Sequence, residues 1–485
     1  MIPVLGRGHL AGSDTESIAG AHGRHLDAPT LGVASLVRVG LGHPGATDTS
    51  PARSATVAGV RRARRYRVRV ADADEPGETP PVAHRDVNAA VSAEEPLAGT
   101  RILDLTTFLS GPVAARTLAD LGADVIRVES PRGDPTRAGT AMHPGDPPSP
   151  FYVALHRDRR SMVLDLKTDA GREVLYDLVA VSDVLLENYR PGVTARLRVR
   201  YEDVQPRNPR LVYCTITGFG PDGPYSQLPA TDGAVQAFGG VLELTGDRDE
   251  FGLPVPVPIA DLVAGATAAQ GVLAALVARE RTGEGTHLDV SMVEALLGWL
   301  LVGDRERTLA PPTTLVVEGR DGVPLLVQTS LHFQPRLAEL LAKVEGCADL
   351  VTDPRFATRD GRHEHRDDYE RLVRRAFGSR PSGEWLETLQ AIGIPASGIQ
   401  SVDAALQHPQ LAYRDAVGDL EVPGLGRQPV LASPFRFDGH RKAETTPPPT
   451  LGEHTGVVLR TVAGYDNKTV ADLKRRGAFG TAPLD

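Results

Sequence analysis

The segment that most constrains this chain is Leu97 to Arg137, LAGTRILDLTTFLSGPVAARTLADLGADVIRVESPRGDPTR. It reads as a short apolar strand (Arg101 to Leu105), a turn closed by Gly111-Pro112, an amphipathic helix, and a second strand ending at Glu129. Two strands joined by one helix of this length run parallel, because the crossover helix returns the chain to the same end of the sheet. The segment therefore predicts the opening of an open α/β sheet, and on such sheets ligands lie at the carboxyl ends of the strands. The turn Thr106-Thr107-Phe108-Leu109-Ser110-Gly111-Pro112 should face a ligand. It lacks the spaced glycines that let backbone amides close on a dinucleotide pyrophosphate, which argues against a nicotinamide cofactor.

Strands and helices continue to alternate downstream. SMVLDLK (Ser161 to Lys167), VLLEN (Val184 to Asn188), LVYCTITGFG (Leu211 to Gly220) and HLDVSM (His287 to Met292) read as strands, with helices over Ala170 to Ser182 and Asp261 to Glu280. From about Arg305 the texture turns to charged helical segments such as HEHRDDYERLVRRAF and SGEWLETLQAI, which predicts a smaller second domain over 305–420. The expected division is thus 96–304 for the first part of a large domain, 305–420 for the small one, and 421–485 for a return to the large one. Residues 1–95 are rich in Gly, Ala, Pro, Asp and Arg with scattered apolar positions, so they read as a disordered extension or the remnant of an upstream domain.

A net charge of −9 is spread over both signs, and no basic face interleaved with aromatics speaks for nucleic acid. The basic run Arg61 to Arg69 reads as a solvated tail segment. Cys214 and Cys347 offer neither a disulfide framework nor zinc spacing, which suits a reducing cytoplasm. The apolar run near Ala295 to Val302 is too short to span a bilayer, so no membrane partner is expected. His363-Glu364-His365 places its histidines on different helical faces with no third ligand evident, and no metal site is expected.

The opening block, followed in order by MVLDLKTDAGREVLYDLVAVSDVLLENYRPGV, NPRLVYCTITGFGPDGPY, PATDGAVQAFGGVLELTGDRDE, VPIADLVAG, RERTGEGTHLDVSM, GIPASGI and LGEHT, resembles the family III CoA-transferases, which include formyl-CoA and carnitine-CoA transferases and the related α-methylacyl-CoA racemase. The resemblance covers about Leu97 to Phe479. It implies a Rossmann-like open parallel sheet with an inserted smaller α+β domain, an interlocked homodimer, and CoA as substrate and product alongside a carboxylic acid, with neither NAD nor metal.

By that resemblance the nucleophile is the aspartate opening the helix of small residues that leads into RxxTGxG, here Asp261. An enzyme carboxylate can attack a thioester and pass CoA onward in several easier steps without ATP. Asp232 is a candidate supporting carboxylate, or simply closes a turn. The same resemblance places CoA near Leu109 and Ser110, near Leu164 to Lys167, near Asn188, Tyr189 and Arg190, and at Arg196. Lys167, Arg190 and Arg196 are cations of the kind phosphates require. Asp247 and Asp249 read as part of a solvated loop.

Leu109 stands where formyl-CoA transferase has a glutamine, and Ser130 where it has an arginine, which points to a larger or more apolar acyl group than formyl or oxalyl. A racemase needs a second proton-exchanging group, and the matching position is Thr231, which does not titrate near neutral pH. Leu301 to Gly322 is short and lacks the glycine cluster of the flexible loop that formyl-CoA transferase carries there, leaving a catalytically silent CoA-binding subunit or partner as a further alternative.

Overall fold

The structure is a computed structural model and describes residues 95–137, 148–245, 252–300, 314–330, 332–442 and 445–481. The expectations for the N-terminal extension, for Asp247 and Asp249, and for the stretch from Leu301 to Thr313 lie outside the described residues.

Six strands form one sheet: β1 (Arg101–Asp104), β2 (Asp124–Glu129), β3 (Arg160–Val163), β4 (Val184–Glu187), β5 (Val212–Thr217) and β6 (Thr286–Ser291). Their spatial order is β3-β2-β1-β4-β5-β6, and every neighbouring pair is parallel. This is the doubly wound order, with its topological switch point between β1 and β4. β3 stops at Val163, short of the predicted Lys167, because Asp165 turns its N–H to the carbonyl of Ala478 in the C-terminal segment (2.7 Å).

The helices are α1 (Ser110–Asp120), α2 (Pro150–His156), α3 (Asp169–Ala180), α4 (Val193–Leu197), α5 (Tyr201–Val204), α6 (Asp232–Phe238), α7 (Val241–Thr245), α8 (Ile259–Thr282) and α9 (Met292–Leu300). Alternation along the strands sends side chains to two separate cores, as expected for a parallel sheet covered on both faces. Ile102, Val125, Leu186 and Cys214 pack with α1, α8 and α9. Leu103, Ile126, Leu185 and Tyr213 pack on the other face with α3 and with the C-terminal helices Thr455–Thr461 and Asn467–Arg475.

By length and composition α8 would suffice to cross a bilayer, although half of its most apolar stretch is buried within the fold. Its small residues pack closely on α1. A Cβ on Gly265 would fall 2.5 Å from the carbonyl of Ser110 and 2.7 Å from Cβ of Val113, so glycine is what allows α1 to start one turn from Asp261.

A third core gathers Leu315, Val317, Leu325, Val327, Leu337, Phe377 and Trp385 around the antiparallel sheet β7 (Thr314–Glu318), β8 (Pro324–Gln328) and β9 (Ala396–Gly398). The hairpin β10 (Val417–Val422) and β11 (Gly426–Leu431) runs across the expected boundary at residue 420. Leu420 and Val422, one on each side of that boundary, pack with Val153 of α2 in one small apolar cluster.

Candidate active site

The β1–α1 turn is held by its neighbours across the switch point. The Thr107 N–H donates to Asn188 Oδ1 (2.8 Å), and Asn188 Nδ2 donates to the Thr107 carbonyl (2.8 Å). Thr106 folds back on Asp104 Oδ1 through its N–H (3.0 Å). Phe108 then takes a positive φ of 62°, which reverses the chain into α1. Gly111 completes the turn, because a Cβ there would lie 2.2 Å from Cβ of Thr106.

Asp261 lies in the first turn of α8, whose preceding residue Pro258 supplies no side-chain cap. Asp232, the first residue of α6, does so from outside: its Oδ1 accepts the N–H groups of Ala260 (2.8 Å) and Asp261 (3.2 Å). Gln236, one turn along α6, donates to the other oxygen of Asp232 (2.5 Å) and brackets Val255 through both its N–H (2.8 Å to Oε1) and its carbonyl (3.3 Å from Nε2). Sequence reasoning missed Gln236, although an Asp and a Gln four residues apart on a helix is the spacing that would have found it.

The Asp261 carboxylate receives both the hydroxyl and the backbone N–H of Ser110 at the start of α1. It therefore sits between two helix N-termini. Burial pushes its pKa up to about 6, the nearby Asp232 carboxylate pushes the same way, and the two Ser110 bonds act against them. The carboxylate is ionised near neutral pH and less completely solvated than a surface aspartate, a combination that suits a nucleophile.

The residues assigned to CoA occupy the same carboxyl end of the sheet. Leu109 precedes α1 and is buried with Ser110, Leu164 is buried just past β3, and Lys167 is exposed before α3. Asn188 and Tyr189 follow β4, half-buried, with exposed Arg190 beyond them and exposed Arg196 on α4. Asn188, Ser110 and Asp261 form one connected group: Asn188 pins the turn and lies 3.5 Å from Ser110 Oγ, which bonds Asp261.

Beneath the carboxyl ends of β1 and β2 lies a buried ionic network that the sequence reading did not find. Arg127 Nη1 donates to Asp104 (3.1 Å) and Nη2 to Asp134, while Arg159 Nη1 donates to the same Asp104 oxygen (2.9 Å) and contacts His156 Nδ1 (3.0 Å). Arg137 pairs with Glu129. Burial among these cations holds His156 well below the usual imidazole range, so it is neutral. The network ties the β1 end to the loops after β2 and α2. An arginine inside an apolar strand such as DVIRVE was its one visible signal.

Among the described residues no group of three or more His, Cys, Asp or Glu side chains is arranged to hold a metal. His363 lies on the short helix Arg359–Glu364, with His365 just past its end.

The profile of CoA-transferase family III matches residues 97–455. The chain is 33% identical over 387 residues to the acetyl-CoA:oxalate CoA-transferase of Acetobacter aceti, covering 75% of this chain and 95% of that protein. To the succinyl-CoA:glutarate CoA-transferase of Homo sapiens it is 29% identical over 399 residues, covering 79% of this chain and 90% of that protein. Its fold matches the crystal structure of a CAIB/BAIF family protein from Brucella suis with a TM-score of 0.65 and 30% identity, over 76% of this chain and all (100%) of that one. The protein belongs to CoA-transferase family III and is a CoA-transferase acting on CoA thioesters.

Proposed function

We propose that the protein moves CoA from an acyl-CoA donor to a free carboxylic acid through covalent intermediates on Asp261. An Asp261 oxygen attacks the thioester carbonyl, the C–S bond breaks, and a mixed anhydride forms with release of CoA thiolate. The thiolate attacks the aspartyl carbonyl, expels the donor's carboxylate and leaves an aspartyl-CoA thioester. The acceptor carboxylate attacks that thioester, and the thiolate released then takes the acceptor acyl group and frees Asp261. Atoms balance without an outside reactant.

The observation that carries this reading is the seat of Asp261, between the N-termini of α1 and α8 and bonded by Ser110. The same donors stabilise the aspartate each time it departs as a carboxylate. Lys167, Arg190 and Arg196 are exposed on the segments after β3 and β4, where CoA phosphates would lie. Leu109 beside Ser110 favours an acyl group with apolar bulk. Thr231 precedes Asp232 at the start of α6 and offers no titrating partner for α-proton exchange, which supports transfer over racemisation.

The reading extends to a homodimer in the cytoplasm whose third core forms an inserted domain. Exposed Phe238, Leu253, Val257 and Trp299 support a partner surface, and the two free, buried cysteines suit a reducing compartment. Light scattering showing a monomer would overturn the dimer.

The test of mechanism is interception. With an acyl-CoA donor present, hydroxylamine should inactivate the protein and modify the peptide that contains Asp261, and Asp261→Asn should abolish CoA exchange. Full transfer activity in Asp261→Asn, or α-proton exchange into deuterated water without an acceptor acid, would overturn the assignment. Absence of turnover with every acyl-CoA tried, while CoA still binds, would instead favour a silent subunit.

A further inference from the structure

A second polar chain crosses the opposite face of the sheet, away from Asp261. Thr215 Oγ1 on β5 donates to Glu187 Oε1 on β4 (2.7 Å) and lies 3.0 Å from Nε2 of His287 on β6. The other carboxylate oxygen, Glu187 Oε2, accepts the N–H of Tyr189 (2.8 Å). Glu187 is buried, whereas His287 is exposed at the edge strand, stacked on Tyr201 (5.3 Å) with Tyr213 edge-on (5.2 Å).

We propose that His287, Thr215 and Glu187 form a proton wire from the exposed sheet edge to a buried carboxyl that positions the segment after β4. The wire is directional by hydrogen-bond inventory. With Glu187 ionised, Thr215 donates its only hydroxyl proton to Oε1, so His287 must offer Nε2–H to Thr215. A proton arriving from solvent binds His287 Nδ1. The Nε2–H bond then breaks as a new Oγ1–H forms on Thr215, and the original Oγ1–H breaks as Oε1–H forms on Glu187. One proton has been taken up, the imidazole remains neutral as its Nδ1–H tautomer, and Thr215 now donates to Nε2.

The far oxygen cannot take part, since an amide N–H only donates. Protonation therefore goes to Oε1 and leaves the Tyr189 bond in place. Glu187 is a positioning residue whose charge can change beneath Asn188 without releasing it, and Asn188 holds the Thr107 turn.

The surroundings favour this exchange. Glu187 is faced by the Tyr189 and Tyr213 phenols and the Cys214 thiol, with Arg127 and Asp104 beyond Tyr189, and among the described residues no cation pairs with it. Burial raises its pKa to about 7 against the opposing Thr215 and Tyr189 bonds. His287 faces Glu202 of α5 and Asp289 of its own strand, which favour imidazolium, but the partial desolvation of its otherwise exposed ring where it packs against the tyrosines outweighs them and lowers its pKa. The neutral ring thus passes the proton inward instead of keeping it.

Long-range ¹⁵N–¹H spectra of the full chain labelled at histidine read the tautomer directly and do not depend on catalysis. His287 should change from Nε2–H to Nδ1–H as the pH falls through about 7 while staying neutral. Thr215→Val should abolish that change and Thr215→Ser restore it, and Glu187→Gln should hold His287 as Nδ1–H throughout. Direct titration of His287 to imidazolium, alike in the wild type and in Glu187→Gln, would overturn the wire whether or not Thr215→Val folds.

Discussion

Asn188 and Thr107 are joined by two hydrogen bonds of 2.8 Å each, one in each direction, and the pair spans the switch point between β1 and β4. A side-chain amide carries its acceptor oxygen and its donor nitrogen side by side, so it can accept from a backbone N–H and donate to the carbonyl of the same residue. This pairing decides where Phe108, Leu109 and Ser110 stand, and through Ser110 it reaches Asp261.

Asn188→Ala should cost about 1–3 kcal/mol of stability and lower kcat/KM about tenfold to a hundredfold through misplacement of the turn. Asn188→Asp should be no better, because its carboxylate repels the Thr107 carbonyl. Thermal melts and steady-state CoA exchange measure both effects, and an unchanged kcat/KM in either variant would show that the turn positions itself.

Asp261→Asn should be inactive yet more stable than the wild type at pH 8. The folded-state pKa of about 6 lies above the ordinary aspartate value of 3.8. The native state therefore binds the extra proton, and stability falls as pH rises from about 4 to 6. Removing the charge should return on the order of 1–3 kcal/mol above that window. A lower melting temperature at pH 8 than the wild type would contradict this account.

For the wild type, kcat/KM should lose activity below about pH 6 as the Asp261 carboxylate is protonated. Asp232→Asn keeps an oxygen to cap α8 but removes the repelling charge, so its acid limb should move to lower pH. Asp232→Ala should in addition lose about 1 kcal/mol with the cap. Profiles of the wild type and Asp232→Asn that superimpose would remove Asp232 from the site's electrostatics.

Gly265→Ala should push α1 off α8, since the added Cβ meets the Ser110 carbonyl at 2.5 Å. About 1–3 kcal/mol of overpacking strain is expected, together with a fall in kcat because Ser110 moves away from Asp261. Equal melting temperature and equal turnover would mean that the helices have room to separate.

Arg127→Met should be the most destabilising of these changes. It strips a buried guanidinium from Asp104 and Asp134 and leaves carboxylates without water, at about 3–5 kcal/mol. Denaturant midpoints would measure it, and a loss of less than about 1 kcal/mol would show that Arg159 alone compensates the network.

The succession of strands and helices was legible in the chain because local periodicity sets it: Ile102 and Leu103, or Val184 to Leu186, declare a strand buried on both faces wherever they are met. The motif order likewise marked the family and singled out Asp261 as an aspartate opening a helix of small residues. What no local pattern could supply was the partnering of distant segments. That Asp232 caps α8, that Ser110 bonds Asp261, that Asn188 grips Thr107 and that Glu187 meets His287 through Thr215 all depend on strand order and on the approach of α1 to α8 at Gly265. Taken alone, Asp232 reads as a turn, Ser110 and Thr107 as members of a ligand-facing turn, and Glu187, Thr215 and His287 as ordinary strand positions. Only the tertiary structure, by bringing these distant segments together and excluding water from most of their polar pairs, gives the charges and hydrogen bonds their strength, because the energy of a polar pair depends on the water excluded around it.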